Sequence, residues 1–289
     1  MNESKQWTIG DILAWTGQYF KQKGVDNPRL DAEVLLSHVL GQNRLYLYVH
    51  FDQPLVEQEL AAYREMVKSR VNHMPVAYIT GKKEFMGLEF AVTPDVLIPR
   101  PDTEILVEAV MNRLCGIENP DILDIGTGSG AIFVSLLAKV PHAGGIAVDV
   151  SAPALAVAAA NAARYLSGRR MDFRQGDLFL AVTGCRFDCI VSNPPYIPDG
   201  DIPSLEAEVR REPRLALAGG KDGLDFYRRI VKESPGYVNP GGFVVMEVGI
   251  HQASAVAALA EEQHCFAVED IIKDYGGIER VVVLRLGGT

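Results

Sequence analysis

The sequence predicts an α/β protein in which a small all-helical region precedes a doubly wound, largely parallel sheet. Three observations predict it. From Asp121 onward, short apolar runs alternate with stretches of helical length, the rhythm of parallel strands joined by crossover helices. Before about Arg70, apolar residues recur at helical spacing. Two compact motifs, a glycine-rich turn at Gly126–Gly130 and an Asn-Pro-Pro-Tyr turn at Asn193–Tyr196, follow the first and fourth of the apolar runs.

The helical region is read from Ile9, Ile12, Leu13 and Ala14, then Val34, Leu35, Val39 and Leu40, then Leu60, Tyr63 and Val67. Thr8 and Asp11 have the spacing of a capping box, Pro28 suits a first helical turn, and Gly24 and Gly41 stand where helices stop. Residues 1–73 are taken as this helical domain, a structural or docking module without a catalytic constellation. From Met74 to Leu97, apolar residues such as Val76, Tyr78, Ile79, Phe85, Phe90 and Val92 are divided by Gly81 and Gly87, which predicts a hairpin. The proline-rich turn Ile98–Glu104 completes a linker over 74–104 and can place side chains beside a cleft.

The remainder, 105–289, is read as the sheet domain. Its predicted order is helix Ile105–Leu114, strand Ile122–Ile125, helix Ala131–Lys139, strand Ile146–Val150, helix Pro153–Leu166, and strands Asp172–Gln175 and Cys189–Ser192. Helix Leu224–Glu233, strand Phe243–Val248, helix Gln252–Gln263 and a closing strand Val281–Leu286 follow.

A chain of 289 residues with 48% hydrophobic content can bury one substantial core beside a smaller domain. With 28 Lys and Arg against 37 Asp and Glu, the net charge is −9, which disfavours a broad nucleic-acid-binding face. Cys115, Cys185, Cys189 and Cys265 form no CxxC pair and are read as reduced thiols. The six histidines, His38, His50, His73, His142, His251 and His264, lack metal spacing, so no metal is expected. Neither a secretory signal nor a membrane-crossing run is recognised, and a cytoplasmic location is the expectation.

The segment Asp124-Ile125-Gly126-Thr127-Gly128-Ser129-Gly130 puts a carboxylate at a strand end and alternating glycines in the turn to a helix, which lets a ligand approach the backbone closely. Such turns serve several kinds of nucleotide. Asp149 stands at the end of the second strand, where an acid can accept the hydroxyl protons of a ribose; with Ser151 filling the cap of the next helix, Asp149 is expected to be free for that ligand. Asp177 would lie over the adenine end with Leu178 as an apolar wall. A nicotinamide cofactor suits these features equally, and the fourth strand decides.

That strand runs into Ile190-Val191-Ser192-Asn193-Pro194-Pro195-Tyr196. Two prolines cannot continue a buried strand, so they set a rigid turn at its carboxyl end, where doubly wound sheets bind ligands. The residue types suit methylation of a planar nitrogen. An amide lone pair is delocalised and must be directed at the methyl group. The Asn193 side-chain oxygen and the Pro194 carbonyl can each accept one N–H and favour the increasingly positive nitrogen of the transition state. Tyr196 is expected to pack on the planar group. No strong base is needed before attack.

Asn-Pro-Pro-Tyr after a DxGxGxG strand resembles the amino-group methyltransferases, both adenine-N6 and glutamine-N5. Pro75–Gly81, Glu84–Gly87, Leu97–Glu104 and Glu212–Tyr227 are similar to the HemK/PrmC family of release factor glutamine methyltransferases across nearly the whole chain. The resemblance implies a seven-stranded, Rossmann-like S-adenosylmethionine-dependent methyltransferase domain whose last strands form an antiparallel hairpin, with the helical domain docking the substrate. It implies transfer of methyl to the glutamine N5 in the Gly-Gly-Gln loop of class 1 peptide chain release factors, with S-adenosylhomocysteine as the other product. On this resemblance Gly126, Thr127, Gly128, Ser129 and Gly130 line the methionine moiety, Asp149 holds the ribose, and Asp124, Asp177, Leu178 and Asn193 complete the cofactor site. Asn193, Pro194, Pro195 and Tyr196 hold the amide, and the Arg100 turn closes one side. Leu178 stands where an aromatic could stack on the adenine; the departure bears on stacking and not on binding.

The competing readings are an adenine-N6 nucleic-acid methyltransferase, a binding module without activity, and a nicotinamide dehydrogenase. The acidic balance and the absence of a basic recognition domain oppose the first. Intact motifs oppose the second. The third leaves the Asn-Pro-Pro-Tyr turn unexplained.

Overall fold

The computed structural model describes residues 6–287. The chain divides into two compact units, Met1–Gly81 with Ala207–Arg211, and Lys82–Glu206 with Glu212–Thr289. The first five and last two residues of the ranges assigned above lie outside the described residues.

The first unit is helical: α1 (Ile9–Gln22), α2 (Pro28–Leu40), α3 (Arg44–Val49), α4 (Glu57–Val71) and α5 (Val76–Thr80). The capping box forms, with Thr8 Oγ1 accepting the Asp11 N–H at 3.2 Å and the Asp11 carboxylate accepting the Thr8 N–H at 3.3 Å. Pro28 opens α2, and Gly41 closes it in the left-handed region at φ 61°. Phe20, Leu35, Leu36, Leu47 and Tyr63 make its core. Arg70 is buried and pairs with Asp31 at 2.6 Å and with Glu208.

The hairpin expected from Met74 is shorter than its apolar pattern suggests. Val76–Thr80 coils into α5 because Pro75 leads into a helical turn and Gly81 ends it at φ 72°. The antiparallel pair is β1 (Lys82–Phe85) and β2 (Leu88–Ala91), closed by Met86 and Gly87, both with positive φ. The Met86 N–H donates to Glu104 Oε1 at 2.6 Å.

The second unit continues through α6 (Thr103–Leu114), β3 (Asp121–Ile125), α7 (Ala131–Lys139), β4 (Gly144–Asp149), α8 (Ala152–Tyr165), β5 (Met171–Gln175) and β6 (Phe187–Ser192). It ends with α9 (Asp225–Glu233), β7 (Val238–Glu247), α10 (Ala253–Glu262), β8 (Phe266–Lys273) and β9 (Glu279–Leu286). The seven strands lie in the order β5-β4-β3-β6-β7-β9-β8, parallel except for β9, which is antiparallel to both neighbours. The apolar pattern does not predict β8, because its exposed positions Glu269 and Asp270 interrupt the apolar run of an edge strand.

Side chains alternate across the sheet. Ile122, Ala147, Val191 and Val245 face α6, α7 and α8, whereas Leu123, Val148, Ile190 and Val244 face α9 and α10. Both faces are covered, which is why these strands read as unbroken apolar runs. Strand order reverses between β3 and β6, the place where doubly wound sheets open a ligand crevice at the carboxyl ends. Ile125 pairs with Ser192 across that junction, so Gly126 and Asn193 leave the sheet side by side. No helix among the described residues is long and apolar enough to cross a membrane.

Candidate active site

A cleft holding about 1180 Å³ of empty space, its mouth included, opens at this junction. Gly126, Thr127, Gly128, Ser129, Asp149, Asp177, Leu178, Asn193, Pro194, Pro195 and Arg100 all line it. Asp124, Gly130 and Tyr196 are not part of the lining.

The glycine turn is made of backbone. Gly126 and Thr127 N–H donate to the Val148 carbonyl at 2.8 and 3.0 Å, which joins the turn to β4. Gly126 has φ 73° with open space where a Cβ would stand, and at Gly128, φ 55°, a Cβ would meet only the Gly126 carbonyl at 4.0 Å, so main chain faces the cleft there. At Gly130 a Cβ would meet the Ala158 Cβ at 3.1 Å, so its smallness lets α7 start close against α8. Buried Asn161 on α8 ties these parts together: its Nδ2 donates to the Ser129 and Ala91 carbonyls, both at 2.9 Å, and its Oδ1 accepts the Ala91 N–H at 2.8 Å.

Asp149 is less free than the sequence suggested. Its Oδ2 accepts the Gly128 N–H and its Oδ1 accepts the Ser151 N–H, each at 2.9 Å. Ser151 does cap α8, its Oγ accepting the Ala154 N–H at 3.3 Å. Each carboxylate oxygen keeps a second lone pair, so Asp149 can support the turn and still accept hydroxyl protons.

Asp124 lies beneath the turn, fully buried, with Oδ2 accepting the Thr127 hydroxyl at 2.7 Å. Its Oδ1 has no hydrogen bond of good geometry among the described residues. Burial pushes its pKa up to about 7, against the lowering effect of Thr127 and with reinforcement from the Asp149 charge.

Asp177 pairs with Arg229 at 2.7 Å, and Leu178 takes φ 50°. A left-handed leucine is a strained backbone position. Leu178 is 7% exposed and so forms a fixed apolar wall.

At the end of β6, Asn193 Nδ2 donates to Thr103 Oγ1 at 3.2 Å, and Thr103 Oγ1 donates to Glu247 Oε2 at 2.6 Å. Burial raises Glu247 to about 7, opposed by the Thr103 hydroxyl, the Arg280 charge and, more weakly, the Asn193 side-chain NH2. Tyr196 turns away from the cleft. It packs against the core on the α9 and α10 side, its Cδ2 lies 3.0 Å from where a Cβ on Gly249 would be, and its carbonyl accepts Gln252 Nε2 at 3.0 Å. The double proline sends the chain past the strand end, so its ring serves the wall behind the site and does not face the reactive end as expected. Burial raises its phenol to about 12, so it stays protonated.

Arg100 pairs with the buried Glu212 and donates to the Ile98 carbonyl at 3.2 Å, and Glu212 Oε2 accepts the Ile98 N–H at 3.0 Å. Its charge is therefore spent on holding the turn. Sequence reasoning missed Thr103, Asn161, Glu212 and Glu247 as individual residues. Glu247 carried a signal, a carboxylate closing the otherwise apolar Phe243–Met246 run.

A family described as the PrmC N-terminal domain matches residues 11–81, and one described as the methyltransferase small domain matches residues 101–208. The release factor glutamine methyltransferase of Geobacter sulfurreducens is 48% identical over 97% of this chain and 98% of its own length. That of Moorella thermoacetica is 43% identical over 89% of this chain and 91% of its own. A methyltransferase structure from Pyrococcus furiosus shares the fold at TM-score 0.54 and 22% identity, over 70% of this chain and 90% of that one. With identity this high over nearly the whole chain, the chain belongs to the release factor glutamine methyltransferase family.

Proposed function

We propose that this enzyme transfers a methyl group from S-adenosylmethionine to the side-chain N5 of the glutamine in the Gly-Gly-Gln loop of class 1 peptide chain release factors, giving N5-methylglutamine and S-adenosylhomocysteine. The observation that carries the reading is the committed Asn193 carboxamide. Its NH2 is engaged by Thr103, so its oxygen is left to accept from a substrate beside the Pro194 carbonyl.

The cleft suits an adenosine-bearing amino acid. Open main chain at Gly128 accommodates close approach, Asp149 keeps lone pairs for a ribose, and Leu178 offers an apolar face to a base. S-adenosylmethionine would supply a methyl on positive sulfur, which leaves as a neutral thioether. Asn193 Oδ1 and the Pro194 carbonyl accept the two N–H groups of the glutamine amide and turn its lone pair toward that methyl. As positive charge grows on nitrogen, both hydrogen bonds strengthen, which is differential stabilisation of the transition state. The extra proton becomes acidic only after the N–C bond has formed and passes to water.

Residues 1–73 are assigned to substrate docking, 74–104 to the linker and 105–289 to the transferase domain. Tyr48, Val49 and Phe51 of the helical unit are exposed and supply apolar surface for a protein partner. The test is transfer of labelled methyl to a folded class 1 release factor, its Gly-Gly-Gln glutamine-to-alanine variant, and adenine-containing DNA. Label on the wild-type factor alone supports the reading; label on the variant or on DNA overturns it.

A further inference from the structure

Behind Asn193 runs a buried chain of polar groups contributed by α6 and β7. Thr103 is 4% exposed and Glu247 1%, so the hydrogen bond between them is shielded from bulk water, and the Asn193 bond to Thr103 is partly so. A hydroxyl has one proton, and Thr103 gives it to Glu247 Oε2. Its oxygen can meet Asn193 only through lone pairs, so Asn193 must present its NH2 to it.

A carboxamide has nearly the same shape in either orientation. Flipped, Asn193 would offer N–H groups to the N–H groups of the substrate amide. Only the hydrogen bonds behind it select the productive state. Glu247 remains available for this because Arg280, the cation nearest in influence, is engaged by Asp274 at 3.1 Å and Asp102 at 3.5 Å.

We infer that Thr103 and Glu247 are positioning residues for methyl transfer: the Glu247 carboxyl sets the direction of the hydrogen-bond chain, the Thr103 hydroxyl relays it, and Asn193 is held with Oδ1 toward the amide to be methylated. This rests on the function proposed above for the site. The relay itself is a property of the free protein and can be observed without any substrate.

The experiment compares wild type, Thr103→Val and Thr103→Ser by steady-state transfer to the release factor, by S-adenosylhomocysteine binding, and by hydrogen exchange of the Asn193 side-chain NH2, assigned through its loss in Asn193→Ala. Thr103→Val should lower kcat by about 10–100-fold, as loss of one buried hydrogen bond and of orientation predicts. Its affinity for S-adenosylhomocysteine should stay within about twofold, its Asn193 NH2 should lose protection, and Thr103→Ser should restore both rate and protection. Unchanged kcat in Thr103→Val, or Thr103→Ser no better than Thr103→Val, overturns the inference. Should wild type methylate no glutamine, the proposed function falls, and the exchange measurement still decides the relay: protection present in wild type and lost in Thr103→Val upholds it, and an unprotected NH2 in wild type overturns it.

Discussion

The two ends of the cleft are built by different means. The end at Gly126–Ser129 is main chain, with Asp149 bracing Gly128 and Asn161 bracing Ser129. The end at Asn193 is a side-chain relay whose partners, Thr103 and Glu247, lie far away in sequence. A surface of backbone tolerates changes in neighbouring side chains, whereas a relay of side chains has single points of failure. On the proposal above, the first end binds the cofactor and the second carries the chemistry.

Breaking the reacting end should have the largest effect. Asn193→Ala is expected to cut kcat by on the order of 10²–10³-fold, the loss typical of one preorganised transition-state hydrogen bond, while leaving cofactor binding measurable. Single-turnover methylation beside S-adenosylhomocysteine titration reads the two separately. Asp149→Ala belongs to the other end and should weaken S-adenosylhomocysteine by roughly 10–100-fold, the cost of lost charged hydrogen bonds and a loosened Gly128 turn, with a smaller effect on turnover at saturation. Equal loss of cofactor binding in both variants would abolish the distinction between the ends.

Each end also buries one carboxyl group, and here they should behave alike. Asp124 and Glu247 are both pushed to about 7 from ordinary values of 3.8 and 4.5, with burial the main cause. Between those limits the folded chain holds more protons than the unfolded one, so the stability these groups contribute is present at low pH and is lost as pH rises through about 7. Asp124→Asn and Glu247→Gln should therefore look more favourable relative to wild type in thermal melts at pH 8 than at pH 5. A difference in melting temperature that does not change with pH would show that neither carboxyl titrates in this range.

The smallest effect on function is expected at Leu178. Leu178→Gly relieves a left-handed backbone at φ 50°, worth about 1 kcal/mol, but removes the apolar wall. Stability should fall by about 2–4 kcal/mol, because emptying a buried leucine site outweighs that relief, while S-adenosylhomocysteine binds a few-fold more weakly, as calorimetry would show. Unchanged affinity would mean that the wall does not touch the ligand.

Sequence by itself determined the fold class, because a sheet covered on both faces must show continuous apolar strands and its crossover helices a longer period. Ala131–Lys139 was placed to the residue, and most other boundaries moved by only a few. The two turns were legible for the same local reason: glycines and consecutive prolines restrict their own backbone, so Gly128 and Pro194 announce geometry without reference to the rest of the chain. Tertiary structure alone decided what meets what. Register between β3 and β6 brought Gly126 beside Asn193, the start of α6 delivered Thr103, and the end of β7 delivered Glu247. Nothing in a linear pattern states that a threonine and a glutamate 144 residues apart are hydrogen-bonded, or that Tyr196 packs behind the site while Asp149 braces the glycine turn. Those outcomes depend on packing across the sheet, where a buried polar group takes the partner that folding brings within reach.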